Sequence, residues 1–209
     1  MSIFIMLVLG FLWYQLIAIF GLSIGLHRYF AHRQFKTTKV FETISLFLSM
    51  LAFSRSPLGW IGAHRIHHRY SDTDKDPHSP LHKGFLNVLF NQWKVRNIPM
   101  RYVRDLYDNK RIMFFHNYWL FIWIIAGLVT LMVSWKFFFI FVVSPFVYGF
   151  LSFGIFNALG HSNGKPVTNY FINLLSGGEG PHDVHHKNSK QIKLSKYDIS
   201  GIIIEKCLR

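Results

Sequence analysis

The sequence predicts an all-α integral membrane protein with about three transmembrane helices, interfacial helices and a cytoplasmic cap rich in histidine. Its 209 residues are 51% hydrophobic and only 16% charged, and 22 of them are Phe, which is more apolar bulk than a soluble core of this length needs. Long stretches without charge separate clusters of histidine. This composition excludes a disordered chain, and the single cysteine excludes a disulfide-stapled secreted module.

The first apolar stretch, residues 2–26, holds 25 residues without a charge. About 20 residues are enough to cross a bilayer as a helix. No basic segment precedes the stretch, as one would in a cleavable secretory signal. We therefore predict a membrane span here.

Two further spans are predicted at residues 118–135 and 137–156. Only Lys136 separates them, which indicates a helical hairpin with a tight turn, and Pro145 is expected to kink the second arm. Residues 41–53 are also apolar, but 13 residues are too few to cross a bilayer. An interfacial or re-entrant helix is predicted there.

Basic residues outnumber acidic ones by 23 to 10, for a net charge of +13. Charge alone would fit nucleic acid or an anionic membrane surface, and the hydropathy favours the membrane, so no nucleic-acid partner is expected. Residues 27–116 hold 15 of the Lys and Arg, and residues 157–209 hold 7. By the positive-inside rule, residues 27–117 and 157–209 are cytoplasmic in a multi-pass chain that forms one domain, 1–209. The aromatic and basic residues of 84–111 are expected either to meet lipid headgroups or to form an ordinary solvated basic loop.

Nine of the twelve histidines fall in three clusters and one single position, all outside these predicted spans. The second and third clusters both have the spacing HxxHH, which places three imidazoles on one face of a helix. So many desolvated imidazoles are costly without a partner, and metal binding is therefore expected. His82 and His116 are interpreted as ordinary surface or core side chains. The nine clustered positions are His27 and His32; His64, His67 and His68; His161; and His182, His185 and His186.

The first cluster has a different geometry, because His27 and His32 are about 140° apart on a straight helix. They can serve two neighbouring ions, or one ion from a distorted helix end, and two ions are the simpler assumption. Nine imidazoles also exceed the four ligands of a closed zinc site, whereas two ions would take four or five each. Imidazole alone does not select the element, since zinc, copper, iron and nickel all accept it.

These residues resemble the membrane fatty acid desaturases, in particular the Δ9 acyl-CoA and acyl-lipid branch. HRYFAH at 27–32, HRIHH at 64–68 and HDVHH at 182–186 are similar to the three histidine boxes of that family, in the same order. The flanks WIGAHRIHHRYSDTDKDPHSP, NALGH and GEGPHDVHH match as well. The resemblance implies an enzyme with two non-haem iron ions and O₂ as co-substrate. It also implies that all nine clustered histidines are iron ligands and that Asn157 holds a water at one iron.

The resemblance extends to the substrate and the partners. The expected reaction introduces a cis double bond, at Δ9, into a saturated acyl chain, with two electrons from a donor in trans of the ferredoxin or cytochrome b5 type. Animal acyl-CoA desaturases place an Arg-Asp pair just before the second box, where this sequence has Gly62 and Ala63. That difference favours an acyl chain bound to lipid or to a carrier over acyl-CoA. Trp60, Gly59 and Gly62 are candidates to line the acyl slot.

Two other functions are compatible with the histidines. A hydroxylase or ketolase of the same superfamily shares the boxes, although the flanks of the second and third boxes favour the desaturase. A non-catalytic metal-binding or metal-transport protein would carry its ligands within the membrane, whereas the clustered histidines lie outside the predicted spans. Family members usually carry two membrane hairpins, and no apolar segment here matches the first helix of the N-terminal hairpin. An acyl slot that is less enclosed, or that another protomer completes, is therefore expected.

Overall fold

The structure is a computed structural model that describes residues 1–90 and 97–208, and the regular secondary structure of these residues is almost all helix. The predicted all-α membrane fold is confirmed. The only strands in the described residues form a short antiparallel pair, β1 His161–Ser162 and β2 Lys165–Pro166, with His161 opposite Pro166. Two 3₁₀ turns, Met100–Tyr102 and Arg104–Leu106, follow the gap. The helices are α1 Ile3–Ala31, α2 Lys39–Leu51, α3 Pro57–Tyr70, α4 Pro80–Lys83, α5 Phe85–Phe90, α6 Lys110–Val133, α7 Trp135–Leu159, α8 Tyr170–Ser176, α9 His182–Lys187 and α10 Ile199–Ile203, which a π-helical turn, Ile204–Leu208, continues.

Among the described residues, α1, α6 and α7 are long and apolar enough to cross a membrane. The helix α1 extends five residues beyond the predicted end at residue 26, so His27 lies within it. The turn between α6 and α7 is at Ser134 rather than at Lys136. Ser134 is extended, with φ −175° and ψ 144°, and its hydroxyl oxygen accepts a hydrogen bond from the Lys136 backbone N–H. A serine is favoured at such a position because it caps the helix that follows.

The second half of α1, Ile17–Ala31, is π-helical and packs along α2. Close approach is possible because glycines face α2: a Cβ at Gly21 would lie 2.7 Å from the Ser49 backbone nitrogen, and one at Gly25 would lie 2.7 Å from Ser45 Cβ. The helix α2 corresponds to the predicted short helix at 41–53. Its inner face joins α1, α3 and α6 in the main hydrophobic core. This core holds the first and second histidine clusters against each other.

A π-helical turn, Phe139–Val143, lies just before Pro145, the position of the predicted kink. Proline has no backbone N–H to donate, so the helix ladder is already broken at this point. The predicted headgroup segment 84–111 falls partly on residues 91–96, which lie outside the described residues, together with its Trp93, Lys94 and Arg96.

Candidate metal centre

The structure gathers the nine clustered histidines into two groups, in each of which the ring nitrogens lie within 4.8 Å of one another. The larger, five-histidine group draws on the first box, the second box and α9. The smaller, four-histidine group draws on α3, β1 and α9. The five-histidine group is His27, His32, His64, His68 and His185, and the four-histidine group is His67, His161, His182 and His186.

In the five-histidine group, the Nε2 atoms converge on one point. The Nε2–Nε2 distance is 2.8 Å between His32 and His64, 2.9 Å between His27 and His185, and 3.0 Å between His185 and His68. Two nitrogens bound at about 2.1 Å to one ion, at right angles, would be about 3.0 Å apart. These spacings therefore fit ligands that share an ion.

The four-histidine group has the same arrangement. The Nε2 atom of His182 lies 3.0 Å from that of His161 and 3.1 Å from that of His186, and the Nε2 atoms of His67 and His186 are 3.3 Å apart. His68 and His186, from different groups, stack with ring centroids 4.3 Å apart. The two groups are thus direct neighbours, as a two-metal site requires.

The two HxxHH motifs interlock. In the motif of α3, the i, i+4 pair His64 and His68 belongs to the five-histidine group, while His67 belongs to the other. In α9 the assignment is reversed, because His185 alone joins the five-histidine group. Residues four apart lie almost above each other on a helix, and the residue at i+3 is turned toward the other side. Each motif therefore contributes to both groups.

His27 and His32 both contribute to the five-histidine group, so the simpler assumption that they serve two ions is wrong. The reason is the π-helical end of α1, where the His32 N–H donates to the His27 carbonyl oxygen at 3.0 Å. This i, i+5 hydrogen bond widens the turn and brings the two rings to 4.9 Å between centroids. The distorted helix end is the alternative that the sequence had left open.

Three carboxylates, which the sequence analysis missed, orient three of the histidines by contacting their Nδ1 atoms, on the side of the ring away from Nε2. The Nδ1 atom of His27 lies 3.1 Å from Glu179 Oε1, that of His67 lies 2.9 Å from Asp76 Oδ1, and that of His161 lies 2.8 Å from Asp72 Oδ2. A carboxylate that accepts the Nδ1 proton leaves the Nε2 lone pair free for a metal. The signal in the sequence was proximity to the boxes, since Glu179 precedes the third box by three residues.

The protonation states suit metal binding. Burial lowers the pKa of His64 and of His182 well below the usual range, and it lowers the pKa of His186 to about 3. Burial alone would raise the pKa of the Glu179 carboxyl, but the Arg28 guanidinium holds it well below its usual range. These three imidazoles are therefore neutral and the Glu179 carboxylate is ionised. An all-imidazole donor set with carboxylates behind it fits divalent first-row metals, iron included.

Asp76→Asn tests the carboxylate support. Asp76 is fully buried and accepts hydrogen bonds from His67, from the Asp72 N–H and from the His78 N–H. Loss of its charge is expected to weaken metal binding about 10- to 100-fold, as for other outer-shell partners of ligating histidines. Iron titration against a competing chelator would measure this. Asp105→Asn is the control, because the Asp105 carboxylate accepts from Arg33 and Arg65 rather than from a histidine, and equal affinities in both variants would contradict the role.

An apolar cavity reaches the two groups. Side chains of α1, α7 and α8 line its apolar side, namely Tyr14, Ala18, Leu22, Phe153, Phe156 and Leu175. Its polar end is lined by Glu179, Asn157 and four of the site histidines, His27, His64, His67 and His182. An apolar cavity of this kind can accommodate a hydrocarbon chain.

The predicted slot residues differ in their placement. Trp60 lines the cavity, and its ring stacks on His64 with centroids 5.1 Å apart. Gly59 and Gly62 are not among the lining residues. A Cβ at Gly62 would lie 2.2 Å from Ile98 Cγ2, so this glycine allows the segment around Ile98 to pack on α3. Its contacts give it a packing role.

Comparison with known proteins adds an independent result. The family model described as fatty acid desaturase matches residues 3–191. The chain is 33% identical, over 85% of its length, to the sn-1 stearoyl-lipid 9-desaturase of Synechocystis sp., and 31% identical, over 79%, to the sn-1 stearoyl-lipid 9-desaturase of Anabaena variabilis. It is 29% identical, over 83%, to an acyl-CoA 5-desaturase of Anemone leveillei. The chain spans 60%, 65% and 58% of the lengths of these relatives.

Proposed function

The chain belongs to the fatty acid desaturase family, and from this premise we propose that it converts a saturated acyl chain into a cis-monounsaturated one at two non-haem iron ions. The proposal rests mainly on one observation: histidines of both groups line the same apolar cavity. A hydrocarbon chain in that cavity would run past both groups. The family match supports the same reading from the sequence side.

The nine histidines would hold the two iron ions, five at one and four at the other, with Asn157 holding a water. Iron in such a site, with an open position, supplies the O₂-dependent oxidation that breaks an unactivated methylene C–H bond. The reaction balances when the substrate gives up two hydrogens with their two electrons. Two external electrons and two protons complete the reduction of O₂ to two waters.

The protein would position the substrate by shape, because a methylene chain offers no polar group to bind. Leu22 and Phe156 flank the cavity near the histidines, and the indole of Trp60 covers His64. These apolar walls exclude water from the methylenes that react. Glu179, Asp76 and Asp72 keep the protons of three imidazoles on Nδ1, so that Nε2 faces the metal throughout.

We further propose that the substrate is an acyl lipid and that the double bond forms at Δ9. Two relatives that carry those words in their names, stearoyl-lipid 9-desaturases, support this assignment. The electrons would come from a separate ferredoxin or cytochrome b5, attracted by the net charge of +13. The histidine groups would face the cytoplasm, where most of the basic residues lie.

Expression in a desaturase-deficient host, with double-bond positions mapped by mass spectrometry, tests the proposal. A new Δ9 monounsaturated acid in the lipid fraction is expected, and it should be absent from a matched His67→Ala culture. A new hydroxy acid would instead assign the chain to the hydroxylase branch. No new acid, from membranes that contain the inserted protein with bound iron and a co-expressed donor, would contradict the proposal.

Asn157→Ala is expected to lower turnover several-fold while iron content falls little. Asn157 lines the same cavity as His67 and His182 of the four-histidine group. Its amide would order a water rather than supply one of the strong ligands. Turnover and iron per chain, measured on the same preparation, check this, and Asn117→Ala on α6 is the matched control. Unchanged turnover would remove Asn157 from the site.

A further inference from the structure

The short helix α8 carries an exposed apolar face. Tyr170, Phe171 and Leu174 are 55%, 58% and 58% exposed, and positions 170, 171 and 174 lie on one side of a helix. Two residues at the N-terminal end of α10 extend the same surface: Tyr197, which precedes the helix, is 58% exposed, and Ile199, its first residue, is 50% exposed. The Tyr170 and Tyr197 rings meet edge to face, with centroids 6.0 Å apart. We call these five residues the α8 surface.

The C-terminal end of α8 is hydrogen-bonded to two of the predicted spans, α1 and α7. The Leu174 carbonyl oxygen accepts from Gln15 Nε2 at 2.8 Å, and the Leu175 carbonyl oxygen accepts from the Tyr14 hydroxyl at 3.0 Å and the Ser152 hydroxyl at 2.8 Å. Tyr14 and Gln15 lie near the middle of the 29-residue α1. Tyr14 precedes His27 by 13 residues, which is up to about 20 Å along a helix.

These hydrogen bonds satisfy carbonyl groups at the depth of Tyr14 and Gln15, within a predicted membrane span. The last carbonyls of a helix have no partner within the helix, and in water they would be hydrated. In hydrocarbon, an unpaired carbonyl costs several kcal/mol, so each must be bonded by protein. Two carbonyls of α8 are bonded by side chains that project from α1 and α7. Beside them on α1, Leu12 and Leu16 are 56% and 47% exposed, so the α8 surface continues the apolar outer surface of α1.

A basic residue borders the same surface. Lys196 places its ammonium 4.9 Å from the centroid of the Tyr197 ring. A lysine beside an exposed tyrosine is typical of the headgroup level of a membrane, where the apolar stem stays in the hydrocarbon boundary and the charge meets phosphate.

We propose that the α8 surface inserts into the bilayer leaflet on the histidine side, with its end at the depth of Tyr14 and Gln15. The occupant of this surface is lipid acyl chain, and Lys196 marks the level of the headgroups. Residues 157–209 are then not wholly outside the membrane. Because Leu175 and Ser176 line the apolar cavity while Leu174 faces outward, α8 is the thin wall between that cavity and the lipid.

Depth-dependent quenching tests the insertion directly, and it requires neither iron nor turnover. Cys207 is the single cysteine of the chain, so Cys207→Ser provides a background for Phe171→Cys and Leu174→Cys, each labelled with bimane. The full chain is reconstituted in phosphatidylcholine vesicles with brominated acyl chains. Phe121→Cys, on the exposed face of α6, is the reference for lipid, and Lys187→Cys, on the exposed side of α9, is the reference for water.

Both α8 labels are expected to be quenched to within about twofold of the label at 121, and the label at 187 to be almost unaffected. Aqueous iodide should quench the label at 187 several-fold more strongly than those at 171 and 174. Labels at both 171 and 174 are used so that a local folding defect in one variant does not decide the result. Bromolipid quenching at 171 and 174 no stronger than at 187, with full accessibility to iodide, would overturn the proposal.

Discussion

His67→Ala is expected to abolish unsaturated product and to lower bound iron from two ions to one per chain. His67 is the only contribution of the second box to the four-histidine group, and its removal leaves three imidazoles for that ion. It also leaves the buried Asp76 carboxylate without its imidazole partner. The proposed oxidation would require both ions, so loss of one is expected to remove the activity rather than to halve it.

Activity and metal content should be measured together on membranes that contain equal amounts of protein. His116→Ala is the matched control, because His116 lies in α6 outside both histidine groups. It is expected to keep two ions and normal turnover. Full desaturation by His67→Ala, in protein shown to be inserted, would remove His67 from the ligand set.

Arg28→Met is expected to destabilise the folded protein by about 3–5 kcal/mol, which is typical of breaking a buried ion pair. Arg28 is completely buried in α1. Its Nε donates to Glu179 at 2.8 Å, one terminal nitrogen donates to Asp198 at 2.9 Å, and the other donates to the Ile192 carbonyl oxygen. Without the guanidinium, two carboxylates remain buried and uncompensated. Asp198 also caps α10, so the C-terminal segment should loosen with them.

Denaturant or thermal unfolding in detergent would measure the loss. Arg33→Met is the control, because the Arg33 side chain is largely exposed and its pair with Asp105 is expected to contribute about 0–1 kcal/mol. Neutralising the orphaned carboxylates, in the triple variant Arg28→Met, Glu179→Gln, Asp198→Asn, should restore part of the stability. A loss in Arg28→Met no larger than in Arg33→Met would contradict the account of this network.

The sequence predicted those features that depend on length and on regular spacing. Three spans followed from stretches without charge, and two histidine groups of four and five followed from the number of imidazoles and the HxxHH spacing. The partition of each motif between the groups was not predicted. It depends on how α3 and α9 face each other, which only packing decides.

Other features depend on departures from regular structure. The pairing of His27 with His32 requires a π-helical turn, and no residue propensity in 17–31 predicts such a turn. The roles of Glu179, Asp72 and Asp76 depend on where loops return to the histidines. The α8 surface was not predicted, because a seven-residue helix is far too short to be recognised as a membrane span. Gln15, a polar residue within an apolar stretch, did indicate that a hydrogen-bonding partner lies at that depth.

Iron stoichiometry of the purified chain tests the central claim most directly. The protein would be loaded anaerobically with ferrous iron, freed of loosely bound metal, and analysed by elemental mass spectrometry against its amino-acid concentration. Two tightly bound iron ions per chain, falling to one in His67→Ala, are the result that the two histidine groups predict. One ion or none in the unmodified chain, or preferential retention of redox-inert zinc, would contradict the two-iron site.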